Sequence, residues 1–245
     1  MTERIHRIGM WSGPRNISTA LMRSFENRDD TVVVDEPLYS HYLGFTGVEH
    51  PGADEVMRAH VGNWPDVVDG LLGPITDGAR VFYQKHMAHH LVGDVDRKWV
   101  GELNNVFLIR EPTEMLTSLI QVLPNPSLPE TGLIQQLELF QSLHQEFGRP
   151  PLVLDSRDVL EDPEAMLSTL CSELGIPFSP KMLNWPAGPR ASDGVWAKYW
   201  YASVEESTGF SPYQLKHEKV PDHLQVLLRD CNSIYEELHR YRITS

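Results

Sequence analysis

Apolar residues in this chain gather in short continuous runs, separated by stretches where they recur at helical spacing. Residues 5–11 form one run, and "TVVVDE" (31–36) forms a second, β-branched and closed by two carboxylates. "RVFYQKH" (80–86), "NNVFLIR" (104–110) and "PPLVLDS" (150–156) complete the strand candidates. Between them the period changes. Residues 18–28 read as a helix capped by Ser18 or Thr19, and 53–72 as helical with a break near Pro65. "PTEMLTSLIQV" starts on Pro112, a residue favoured in a first helical turn. "PETGLIQQLELFQSLHQEFG" is amphipathic, and "DPEAMLSTLCSELG" is a helix closed by Gly175. Residues 220–241 form a last amphipathic helix expected to pack on the sheet, and 184–194 form a turn-rich stretch expected to open a mobile loop.

Strands that are apolar throughout, alternating with helices, imply a buried, mostly parallel sheet with helices on both faces. The expected fold is α/β, a doubly wound sheet of the P-loop nucleotide-binding type, with residues 1–245 forming a single domain. Ligands of such sheets bind at the carboxyl ends of the strands. That rule selects the loop after Trp11, Asp35–Glu36, Lys85–His86, Arg110 and Asp155–Ser156.

Composition narrows the picture. At 41% hydrophobic and 9% aromatic residues, the 245-residue chain can bury a substantial core. No apolar run approaches the roughly 20 residues that a membrane-spanning helix needs. The charged N-terminus runs straight into a strand and does not read as a secretory signal. The two cysteines, Cys171 and Cys231, fit buried thiols in a reducing cytoplasm, the expected location. A net charge of −13 argues against nonspecific nucleic-acid binding and requires any anion to be caught by a local cationic pocket. Neither a nucleic-acid nor a membrane partner is expected. Oligomeric state leaves no trace in the pattern.

Candidate chemistry starts at "IGMWSGPRNISTALMRSF" (8–25): a strand, a turn with Gly13 and Pro14, then a helix opening at Ser18 and Thr19. A helix N-terminus offers backbone N–H groups and a positive dipole end to an oxyanion, and Arg15 adds a planar charged fork. The P-loop lysine is absent, so the same residues equally fit a plain helix cap. "VFLIREPTEMLTSLI" then sets Arg110 at a strand end and Ser118 about two turns into the next helix.

Arg110, Glu111, Pro112 and Ser118 resemble the 3′-phosphate motif of sulfotransferases that use 3′-phosphoadenosine 5′-phosphosulfate (PAPS). Pro14, Arg15, Ser18 and Thr19 resemble that family's 5′-phosphosulfate loop, while Asn16 and Ile17 stand where Ser and Gly are usual. "LVLDSRDVLEDPEAMLSTLCSELGIPFSPKML" resembles the strand, acidic-Leu turn, Asp-Pro helix start and Leu-Gly-Ile-Pro closure of the same family. The resemblance spans about residues 5–185.

It implies transfer of a sulfuryl group from PAPS, as co-substrate, to a small hydroxyl or amine acceptor, with no metal. Pro14 to Thr19, Asn16 and Ile17 included, would surround the 5′ end, and Arg110 with Ser118 would hold the 3′-phosphate. Arg15 would stabilise charge on the bridging oxygen. In the cytosolic branch a late basic loop closes over the 3′-phosphate, a part that falls to Gly194 and Lys198. Trp196, Tyr199 and Trp200 either stack on a ligand or form core.

Two residues compete as the base that takes the acceptor's proton. His86 ranks first, resembling a strand-end histidine of the cytosolic branch, and Glu36 follows closely. His89 and His90 read as structural surface histidines, although a helix would set His86 and His90 on one face. Two histidines at helical spacing with no third ligand are weak evidence for a metal. A kinase-like P-loop enzyme needing Mg²⁺ and a noncatalytic nucleotide-binding module are the alternatives.

Overall fold

A computed structural model describes residues 5–59, 63–75, 78–215 and 217–245. Its five strands are β1 (His6–Ser12), β2 (Thr31–Asp35), β3 (Val81–Met87), β4 (Asn104–Ile109) and β5 (Leu152–Asp155). All pair in parallel, in the order β2-β3-β1-β4-β5. The chain leaves central β1 for one edge, returns through β3, and crosses β1 to reach the other edge. Strand ends from both halves of the sheet therefore converge around the loop that follows β1, where ligands of such sheets bind.

The helices are α1 (Ser18–Glu26), α2 (Tyr39–Thr46), α3 (Ala53–Ala59), α4 (Trp64–Leu72), α5 (Pro112–Leu119) and α6 (Leu133–Phe147). After β5 come α7 (Ser156–Glu161), α8 (Pro163–Leu174), the single turns α9 (Ala197–Trp200) and α10 (Ala202–Glu205), and α11 (Gln225–His239). One sheet face packs Ile8, Met10 and Tyr83 against Leu21 and Phe25 of α1 and Leu167 and Leu170 of α8. The other packs Trp11, Phe107 and Val153 against Leu71 of α4, Phe140 of α6 and Leu238 of α11. Both faces are covered, which is why the strands read as apolar runs.

Local chemistry sets the boundaries. Gly175 closes α8 in the left-handed conformation (φ 69°), and the Asp162 side chain caps its start. The break in 53–72 falls between two helices: Asn63 caps α4, whose second residue is Pro65, and residues 60–62 lie outside the described set. The cap of α1 departs from expectation. Neither Ser18 nor Thr19 fills it; Ile17 is the cap, left-handed at φ 55°, and no side chain bonds the first N–H groups of the helix. The 184–194 stretch is tied down. Asp193 pairs with the buried Arg23 at 2.7 Å, Asn27 donates to the Asn184 carbonyl at 2.7 Å, and the Gly194 N–H donates to Asp35 at 3.2 Å.

Candidate active site

Three strand ends, the α1 loop, α2, α5 and the 196–211 segment enclose a cavity of about 490 Å³. Arg15, Ile17 and Glu36 are the non-glycine residues with positive φ among the described residues, at 64°, 55° and 40°. All three line this cavity. Such conformations cost on the order of 1–3 kcal/mol each and persist where the surroundings enforce them. An isoleucine there is especially unfavourable, since both its γ-branches crowd the backbone. Gly13 admits no substitute for a different reason: a Cβ would lie 2.2 Å from the Thr131 carbonyl oxygen.

At one end of the cavity the α1 loop meets α5. Arg15 Nε donates to Ser118 Oγ at 2.8 Å, and an Arg110 terminal nitrogen donates to the Arg15 carbonyl at 2.7 Å. Arg110 also bonds Glu114 at 3.2 Å, whereas Arg15 has no carboxylate partner among the described residues. Partial burial and then the neighbouring Arg110 charge hold Arg15 below its ordinary pKa. Two guanidinium groups, a hydroxyl and uncapped helix N–H groups thus face one space, a receptor for an anion.

The other end is built on β2 and β3. Asp35 and Lys85 are register partners, and Lys85 Nζ donates to Asp35 at 2.9 Å, to Tyr201 Oη at 2.7 Å and to Glu36. Tyr201 Oη donates to both Asp35 oxygens at 2.8–2.9 Å. Burial opposes the Lys85 ammonium, but Asp35 and Glu36 outweigh it and raise its pKa well above the ordinary value. Burial pushes the Glu36 carboxyl above the usual carboxylate range, with Lys85 pulling the other way. His90 Nδ1 lies 3.9 Å from Glu36. A raised carboxyl facing a cavity, held by a fixed ammonium, can take a proton.

The family model described as a sulfotransferase domain matches residues 6–237. The chain belongs to that family. The sulfotransferase domain from the Synechococcus PCC 7002 olefin synthase superposes with a TM-score of 0.60 at 15% identity, covering 96% of each chain. A sulfotransferase from Alicyclobacillus acidocaldarius gives 0.55 at 12% identity over 97% of each. At that identity the likeness establishes the fold, which is the doubly wound P-loop type expected. Two Arabidopsis thaliana proteins are closer in sequence. Branched-chain-amino-acid aminotransferase-like protein 1 is 42% identical over 205 residues, 83% of this chain and 36% of that protein. Aminotransferase-like protein 2 is 38% identical over 232 residues, 94% and 41%. The chain therefore spans about two fifths or less of these relatives' length.

Within the sulfotransferase domain, Pro14, Arg15, Asn16, Ile17, Ser18, Thr19, Arg110, Ser118 and Glu36 all line the one cavity. His86 does not. It faces the opposite side of the sheet, stacked on Trp11 at 4.3 Å, with Nε2 3.2 Å from Gln84 Oε1, and burial holds its pKa down at about 3. Successive side chains on a strand point to opposite faces, so Lys85 enters the cavity and His86 leaves it. His89 and His90 are not surface residues. Both are buried at the cavity wall, in a short turn after β3 rather than on a helix face shared with His86. Lys198 sits on the surface, paired with Glu55 at 2.7 Å, and does not line the cavity. Trp196 is both core and wall, buried against Tyr39 and facing the cavity. Asp155 caps α7 and accepts from Tyr235 at 2.7 Å, so that strand end carries structure and no site. Sequence reasoning missed Tyr201 and took the buried His90 for a surface residue. Tyr201 reaches Lys85 across 116 positions of the chain and leaves no local signal.

Proposed function

We propose that this chain is a PAPS-dependent sulfotransferase acting on a small hydroxyl or amine acceptor. One observation carries the reading: Arg15 and Arg110 converge with Ser118 at the uncapped start of α1, and Arg15 has no carboxylate partner among the described residues. The fit to a doubly phosphorylated donor is chemical. The Arg15 guanidinium, bonded to Ser118 through Nε, turns its terminal nitrogens to the phosphosulfate end, and Arg110 is braced by Glu114 for a 3′-phosphate. Ile17, where the family pattern has glycine, takes a left-handed backbone (φ 55°), a conformation open to glycine without strain.

In the reaction the acceptor atom bonds to sulfur as sulfur's bond to the bridging oxygen breaks. The acceptor's proton passes to Glu36, and the electron pair stays on the bridging oxygen, where Arg15 meets the developing charge. Lys85 fixes the orientation of Glu36 and limits how far burial raises its pKa. The test is incubation with PAPS and a panel of small alcohols and amines, with mass spectrometry for sulfated product. Metal-independent product that disappears in Arg15→Ala supports the reading. Phosphoryl transfer from ATP that requires Mg²⁺ would replace it with the kinase-like alternative, and donor binding without product on any acceptor would favour the noncatalytic one.

A further inference from the structure

Beyond the two arginines, the cavity changes character. Its far wall is aromatic: His90 lies between Tyr39 (4.7 Å, interplanar angle 2°) and Tyr42 (4.8 Å, 26°). Trp196 meets Tyr39 edge-on at 5.1 Å, and His50 lies 5.9 Å from both tyrosines and 6.2 Å from Trp200. The carboxylates of this end are Glu36, Glu49 and Glu130. Among the described residues Lys85 is the one cation lining this end, and it is already held by Asp35 and Glu36. Burial keeps His50, His89 and His90 below their ordinary pKa, so the imidazoles add no positive charge. The Glu130 charge reaches far enough into the wall to act on both Tyr42 and His50. The buried ring nitrogens His89 Nδ1 and His90 Nδ1 of this wall have no hydrogen-bond partner among the described residues.

We propose that this half of the cavity selects a small alcohol bearing a cationic ammonium group, seated against Tyr39, Tyr42 and Trp200 and facing Glu49 and Glu130, with its hydroxyl toward Glu36. The inference rests on the sulfotransferase reading and names its acceptor class. Aromatic faces attract an ammonium through their quadrupoles, and more strongly where water is excluded. Carboxylates with no free cation beside them among the described residues add to that attraction and repel an anionic acceptor. The tyrosine–histidine stack is already in place, so the wall needs little ordering on binding.

The experiment saturates the protein with adenosine 3′,5′-bisphosphate and titrates choline against 3,3-dimethylbutan-1-ol, its uncharged isostere, by calorimetry. Choline should bind at least about tenfold more tightly than the isostere. Glu130→Gln and Trp200→Leu should each weaken choline while leaving the isostere within about twofold. Equal affinities, or tighter binding of the isostere, with normal nucleotide binding would overturn the acceptor class alone. Failure of the bisphosphate to bind would overturn the donor reading and this inference with it.

Discussion

The two halves of the cavity were assembled in opposite ways. The proposed donor half comes from two contiguous segments, 14–19 and 110–118, in which each chemical group sits on a strand end or the first turns of a helix. The proposed acceptor half draws single residues from five separated segments: Glu36 to Tyr42, Glu49 and His50, Lys85 to His90, Glu130, and Trp196 to Tyr201. An anion site can be short because backbone N–H groups and one arginine fork do most of the holding. A site that must shape a small organic acceptor needs walls, and walls come from wherever the fold brings side chains together.

The comparison breaks most visibly at the base. Glu36→Gln should lower kcat by roughly 10²–10⁴-fold while nucleotide affinity stays within a few-fold, since proton transfer belongs to the acceptor half alone. In the same assay, His86→Gln should leave kcat of the folded protein within a few-fold. If the two variants exchange behaviour, the base has been placed on the wrong face of the sheet. On the donor side, Arg110→Ala should weaken adenosine 3′,5′-bisphosphate binding by about 1.5–3 kcal/mol, from loss of a charge-assisted contact. Its acceptor KM should hardly move.

His86 sharpens the contrast through stability. Its folded pKa of about 3 lies below the ordinary value of 6.5. The unfolded chain therefore takes up a proton that the folded chain refuses. That stability is fully present above the unfolded value and is lost as pH falls through about 6 toward the folded value. Between roughly pH 7 and pH 5 the loss from this one group is about 2 kcal/mol. Denaturation curves of His86→Gln should show a flatter decline over the same window; an unchanged slope would mean that the imidazole titrates in the folded protein.

The smallest effect is expected at Lys198. Exposed and paired with Glu55, it belongs to neither half, and Lys198→Ala should leave nucleotide affinity unchanged. A clear loss would mean that the 196–201 segment closes over the nucleotide.

The fold was legible because its signal is redundant: strands in apolar runs, with helices between them of which several, α8 above all, carry their own caps or closing glycines. The donor half was legible because Arg15, Arg110 and Ser118 lie within short motifs. His86 ranked first as base from the sequence yet does not line the cavity, for a geometric reason. Lys85 and His86 are neighbours in sequence but face opposite sides of β3, and only the packing of α1 decides which side is the site. His89 and His90 look like surface residues in a polar run, yet the α2 tyrosines bury them. Tyr201 could not be read at all, because its partners Asp35 and Lys85 lie more than a hundred residues away. Ile17 is instructive in the other direction. It departs from the family pattern, yet its backbone is left-handed, a conformation that suits glycine better than a branched side chain.

The central claim is that the paired arginines recognise a nucleotide carrying a 3′-phosphate. Calorimetric titration with adenosine 3′,5′-bisphosphate and with adenosine 5′-phosphate, each with and without Mg²⁺, tests it most directly. The account predicts tight, metal-independent binding of the bisphosphate and binding at least about tenfold weaker without the 3′-phosphate. Equal affinity for the two nucleotides, or binding that depends on Mg²⁺, would contradict it.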